Sequence, residues 1–120
     1  MKNEKINVHG YGKDVKDLLY VEDLVDLIIK VIDSDINDGI FNVGSGKKIT
    51  LLEIVKKIVN LCGSGRFEPV PFPKKLINFE LGSFYFDISK VKKTFGWHPK
   101  TPIDKGLMAT IEFHKSKWKK

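Results

Sequence analysis

The chain has 120 residues, 42% hydrophobic and 30% charged, which sets the expectation of one globular domain over residues 1–120. Nine Lys face ten acids in residues 1–60, but eleven Lys and Arg66 face five acids in residues 61–120, so the net charge of +6 belongs to the second half. No apolar run approaches the roughly 18 residues of a membrane span, and the first residues lead into no signal-peptide core. The single Cys62 excludes an internal disulfide and a multi-cysteine metal site. A cytoplasmic protein with no membrane partner is expected, with Cys62 buried and inert.

In chain order, residues 6–8 read as a short strand, Gly10 and Gly12 as a turn, and residues 15–21 as a second extended piece. A helix is predicted from about Glu22 to Asp33, with Leu24, Leu27, Ile28, Val31 and Ile32 on one face and acids in its first turns. After the Asn37-Asp38-Gly39 turn, Ile40–Val43 reads as a buried strand that stops at Gly44-Ser45-Gly46. Thr50 and Glu53 form a capping box for a helix carrying Leu51, Ile54, Val55, Ile58 and Val59, which Gly63 ends. Residues 67–72 are extended, and their prolines exclude a central strand position. Residues 74–86 read as irregular or extended. Asp87 opens a short helix to Phe95, and Thr101-Pro102 opens the last one, with Ile103, Leu107, Ile111 and His114 on one face. The sum is about four helices and several short strands, an α/β or α+β pattern without a long sheet.

The motifs for chemistry are sparse. Gly44-x-Gly46 precedes a helix, but Ile49 stands where a dinucleotide fingerprint needs its third Gly, so a plain turn is the expectation. His9, His98 and His114 share no metal-ligand spacing, and no Gly-x-Ser-x-Gly elbow is present. No catalytic, cofactor-binding or metal-binding residue is therefore assigned. The basic half raises a nucleic-acid partner. Twenty Lys against one Arg argue against base reading, four of the lysines lie within residues 115–120, and Phe67, Phe72, Phe79, Phe84 and Phe86 are more easily core than stacking platforms.

Three segments in order carry a resemblance. They are Gly10-Tyr-Gly-Lys-Asp-Val-Lys-Asp-Leu-Leu-Tyr-Val-Glu-Asp23; Ile40-Phe-Asn-Val-Gly-Ser-Gly46 followed by Thr50-Leu-Leu-Glu-Ile54; and Phe86-Asp-Ile-Ser-Lys90, Phe95-Gly-Trp-His-Pro-Lys100 and Ile103-Asp-Lys-Gly106. Together they resemble the C-terminal portion of the NAD-dependent epimerase/dehydratase family, the extended short-chain dehydrogenases that include UDP-glucose 4-epimerases. The resemblance implies a nucleotide-sugar-binding region without the Rossmann core. The family's Gly-x-x-Gly-x-x-Gly loop and Tyr-x-x-x-Lys pair have no counterpart here, since Tyr11, Tyr20 and Tyr85 are followed four residues on by Val15, Leu24 and Ser89. NAD is thus expected in the full-length family and not in this chain, which is expected to be inactive alone.

The resemblance places four residues at the substrate. Lys16 stands where relatives carry a diphosphate-binding Arg, with a point charge in place of a fork. Asn42 matches an Asn that faces the sugar nucleotide. Lys75, beside Lys74, lies where a second phosphate ligand often falls, and Tyr85 lines the same pocket. The residues alone leave open a surface lysine at Lys16, a strand-end Asn at Asn42, loop lysines at Lys74 and Lys75, and core packing at Tyr85. His9 falls near the base, while Trp97 and Pro99 match a structural turn. In relatives, the strand matching residues 40–43 joins the edge of the dinucleotide-binding sheet. Its absence implies that this strand pairs with residues 15–21 or 67–72, or with another copy in a strand-swapped oligomer. Expected partners are a nucleotide-diphosphate sugar and the missing NAD-binding domain. A free-standing nucleotide-sugar-binding module is the alternative.

Overall fold

The computed structural model describes residues 4–79 and 82–117. Chain order is β1 (Lys5–Val8), β2 (Val15–Lys16), α1 (Val21–Ile32), β3 (Ile49–Thr50), α2 (Leu51–Cys62), β4 (Arg66–Pro69), α3 (Ser89–Phe95) and α4 (Ile103–Lys117). Short 3₁₀ turns occupy His9–Gly12 and Lys74–Phe79. Among the described residues this is the mixed four-helix, short-strand pattern predicted, and no helix there is long and apolar enough to cross a membrane.

β1 pairs in parallel with β4, and β2 antiparallel with β3, as two separate two-stranded sheets. Between β1 and β2 the chain reverses through left-handed backbone at Gly10, Tyr11 and Gly12. At Gly12 a Cβ would stand 2.7 Å from the Leu52 side chain and 2.9 Å from Val8, so only glycine lets this turn sit on the start of α2.

Helix α2 follows the sequence closely. The Thr50 hydroxyl accepts from the Glu53 N–H while the Glu53 carboxylate accepts from the Thr50 N–H, and Gly63 closes the helix in the left-handed conformation. The hydrogen bonds from Thr50 hold the Glu53 carboxyl below its usual range. Its inner face packs on β1, β4 and α4, where Val8, Ile54, Val55 and Ile111 are buried. The second core lies between α1 and α3, where Leu27, Val91 and Trp97 are buried with Leu19, Phe41, Val43, Ile88 and Phe95 against them.

Asp23 holds that second core together. It is 4% exposed. Its carboxylate accepts the Lys100 and Thr101 N–H groups at 3.2 and 3.0 Å, and its carbonyl accepts the Trp97 indole N–H at 3.0 Å. One residue at the start of α1 thereby fixes the turn that leads into α4 and seats Trp97.

Several expectations are corrected. Ile40–Val43 is not a strand: Ile40 is 87% exposed and Asn42 is exposed. The segment pairs with neither expected intrachain partner: β2 lies between β3 and residues 82–86, and β4 pairs with β1. Side chains hold the segment instead, with Phe41 edge-on to Phe95 at 5.1 Å and Lys90 Nζ donating to the Ile40 carbonyl at 2.9 Å. Of residues 15–21 only Val15 and Lys16 join a ladder, since the chain then turns into α1. Cys62 is half-buried, and His114 and Phe84 are exposed. Ile88, not Asp87, caps α3, although the Asp87 carboxylate accepts from the Ser89 N–H at 2.9 Å. Pro102 precedes α4 and offers its carbonyl to Gly106. The Phe79 side chain, Glu80, Leu81, Lys119 and Lys120 lie outside the described residues.

Two outcomes test these anchors. Asp23→Ala strips a buried acceptor from two backbone N–H groups and should cost about 2–3 kcal/mol in denaturant unfolding, against a surface control such as Asp26→Ala. The carboxyls of Glu53, Glu68 and Asp87 all sit below their usual range, through hydrogen bonds from Thr50, Lys5 and Ser89 respectively. Groups depressed on folding stabilise the fold above their unfolded pKa and lose that contribution as pH falls through the folded one. The melting temperature should therefore fall as pH drops below about 4, and Thr50→Ala, which costs about 1 kcal/mol at neutral pH, should flatten that acid limb.

Candidate functional site

The segment 82–86 runs along the free side of β2. The Phe84 N–H donates to the Val15 carbonyl at 3.0 Å, and the Val15 N–H donates to Ser83 Oγ at 2.9 Å. β3 closes the other side, so Lys16 emerges from the middle of a three-segment platform. Its Nζ donates to the Gly82 carbonyl at 2.9 Å and stands 5.3 Å from the centre of the Phe84 ring. Tyr85 is half exposed, with Lys48 Nζ 4.2 Å over its ring centre.

The structure therefore brings Lys16 and Tyr85 onto neighbouring segments. Asn42 lies exposed on the 40–43 segment, and Lys75 lies exposed in the 3₁₀ turn Lys74–Phe79. No described contact ties either of them to the Lys16 platform. His9 faces Phe72 at 6.1 Å, and its Nδ1 is buried with no hydrogen-bond partner among the described residues.

Sequence reasoning missed the residue that organises this platform. The Asp17 carboxylate accepts from the Ser45 N–H at 2.7 Å, the Ser45 hydroxyl, the Gly46 N–H at 3.0 Å and the Phe86 N–H at 3.2 Å. One side chain thus joins the end of β2, the glycine turn and the 82–86 segment. Gly44 permits this approach, because a Cβ there would stand 2.7 Å from Asp17 Oδ2 and 2.8 Å from the Phe86 ring. The available signal was an acid directly after Lys16, with a Gly-Ser-Gly turn downstream offering backbone donors. Lys48 was also missed. It covers Tyr85 and lines a groove of about 300 Å³ whose other walls include Ser45, Lys47, Ile49 and Lys100. None of the four predicted substrate residues lines that groove.

The glycine turn does not fit a dinucleotide. A pyrophosphate cradle needs free backbone N–H groups at the turn. Here the Ser45 and Gly46 N–H groups already donate to Asp17, a negative charge that would repel a phosphate at the same place.

With this geometry, the chain has the fold of an α/β portion of an extended short-chain dehydrogenase. Its homologues and structural neighbours are NAD-dependent epimerases, dehydratases and decarboxylases of nucleotide sugars, and they cover the region this chain represents. The chain is 32% identical over 107 residues to an uncharacterised protein of Methanocaldococcus jannaschii, covering 87% of this chain and 31% of that protein. It is 32% identical over 116 residues to a probable GDP-L-fucose synthase of Oryza sativa, covering 92% of this chain and 32% of that one. The solved UDP-glucose 4-epimerase of Thermotoga maritima, with UDP-glucose, superposes at a TM-score of 0.82 and 25% identity over 97% of this chain and 36% of its own. The chain thus spans about a third of the length of the relatives it matches. No protein-family model matches it.

Asp17→Ala should lower unfolding stability by about 2–3 kcal/mol, because it leaves three backbone N–H groups without their charged acceptor. Gly44→Ala should destabilise as well, through the clash with Asp17 and Phe86. Amide hydrogen exchange should then show Ser45, Gly46 and Phe86 losing protection together.

Proposed function

We propose that this chain is the nucleotide-diphosphate-sugar-binding part of a sugar-nucleotide epimerase or dehydratase. The observation that carries this reading is the match of 97% of the chain to a UDP-glucose 4-epimerase solved with UDP-glucose. Lys16 and Tyr85 support it from within, as a cation and a half-exposed ring on neighbouring segments. In this reading the Lys16 ammonium donates to a diphosphate oxygen, a charge-assisted bond. Tyr85 offers a face to the base or sugar. Asn42 and Lys75 complete the ligand only if their exposed segments close over it.

NAD, the hydride carrier of such enzymes, belongs in this reading to a part of the protein other than residues 1–120. The chain carries no Tyr-x-x-x-Lys pair, and the Gly44-Ser45-Gly46 turn ahead of α2 is filled by Asp17. On its own the chain binds nucleotide sugar without turning it over. A free-standing binding module would have the same site, and differs only in acting without an NAD-binding partner.

Calorimetric titration with UDP, dTDP, CDP and GDP tests the reading. The expected result is binding of at least one nucleotide that Lys16→Ala weakens by roughly 10- to 100-fold, the loss of one charge-assisted hydrogen bond. Binding of none, or binding indifferent to Lys16→Ala, would overturn the assignment of the diphosphate site.

A further inference from the structure

A second concave surface, lined by neither Lys16 nor Tyr85, lies where the 45–49 segment meets the turn that leads into α4. The groove of about 300 Å³ described above has three lysines in its walls, Lys47, Lys48 and Lys100, beside the hydroxyl-bearing Ser45 and Thr101. A smaller hollow of about 190 Å³ shares Leu18, Thr101, Pro102 and Ile103 with it, so the two adjoin along the start of α4. Pockets for small ligands span roughly 300–1,000 Å³, and the joined groove falls within that range.

Its two ends differ in character. All of the lysines stand at the first end, whereas the second adds Leu19, Tyr20, Gly106, Leu107 and Thr110, none of them charged. Among the described residues no acid lines either end. Carboxylates close by are committed elsewhere. Asp17, next to Leu18, accepts from the backbone of residues 45, 46 and 86, and Asp23 accepts the Lys100 and Thr101 N–H groups. Asp104, next to Ile103, pairs with Lys57 at 2.7 Å. Asp26 meets Lys100 at 3.5 Å with both side chains at least half exposed, a pair that solvent screens.

Three ammonium groups around one hollow repel one another until a counter-charge joins them. A terminal phosphate suits that arrangement, because it offers three acceptor oxygens and close to two negative charges. Lysines meet such a group as separate point charges, where a planar carboxylate is better matched by an arginine fork. The uncharged end calls for the rest of the ligand to be apolar.

We propose that this groove binds an organic phosphate that carries an apolar chain. Lys47, Lys48 and Lys100 hold the phosphate, and the chain lies along Leu18, Ile103 and Leu107. The site is separate from the nucleotide-sugar platform, since it uses none of Lys16, Asn42, Lys75 or Tyr85.

The test is titration of the chain with decyl phosphate below its micelle concentration, read by calorimetry and by backbone amide shifts. Inorganic phosphate, decyltrimethylammonium and vesicles containing phosphatidic acid are run beside it. Shifts should fall at residues 47–49 and 101–107. Decyl phosphate should bind at least about a hundredfold tighter than inorganic phosphate, the equivalent of about three or four buried methylenes. Lys47→Ala combined with Lys100→Ala, both at exposed positions, should weaken it by about tenfold, and Lys16→Ala should leave it unchanged. No binding, binding indifferent to the double substitution, or binding lost with Lys16→Ala would overturn the proposal. Equal affinity for decyltrimethylammonium, or shifts at Val25 and Ile29 on the exposed face of α1 instead, would mean plain apolar adsorption and overturn it too. Capture by the vesicles without binding of soluble decyl phosphate would assign the lysines to a membrane surface, and the groove would then have no ligand of its own.

Discussion

The Asp17 carboxylate is the constraint on which the candidate site depends. β2 is two residues long, and a two-residue ladder has little stability of its own. Asp17 follows it directly and collects donors from residues 45, 46 and 86, which are far apart in sequence. Those bonds hold the 82–86 segment beside β2 and so set where Lys16 and Tyr85 stand. The glycine turn is consumed in the process. A motif that suggests phosphate binding from its residue types serves here as the socket of a carboxylate. Asp23 does the equivalent at the other end of the 17–23 stretch, tying α1 to the Trp97 turn. Two acids six residues apart thus organise both halves of a fold that has no large sheet.

How far the sequence could be read follows from how local each determinant is. Helix α2 is encoded within itself, by the Thr50–Glu53 box, a 3.6-residue apolar pattern and Gly63, and its predicted start matches the structure. The Trp97 turn was legible for a similar reason, because an indole beside Gly96 and Pro99 has few places to go but the core. Ile40–Val43 fails on the opposite count. Its β-propensity is real, but a strand exists only through the ladder of a neighbour. Residues 4–79 and 82–117 supply no such neighbour, and the segment rests on Phe95 and Lys90 instead. His114 was misplaced because α4 buries only Gly106 and Ile111, so its last turn extends past anything it could pack on.

The candidate site was legible only in part. Lys16 was singled out through its place in a motif, and Tyr85 through the resemblance. Their proximity depends on the pairing of residues 15 and 84, which no local pattern announces. Asp17 escaped notice since a carboxylate that serves backbone donors looks like any surface acid until the turn it fills is seen. From the sequence α1 was read as a helix with one apolar face, and the structure leaves Val21, Val25, Ile29 and Ile32 of it exposed. In the proposed reading, the surface that carries Lys16 and Tyr85 is a nucleotide-sugar platform within this chain.

That claim is tested most directly by following the backbone amide resonances of the isolated chain as UDP-glucose is added. The account predicts shifts concentrated at Lys16, at Gly82–Phe86 and at the start of α2, with Ser45 and Gly46 still held by Asp17. Shifts centred on the Gly44–Gly46 turn would move the platform to that turn, and none at saturating ligand would place it outside this chain; either result contradicts the account.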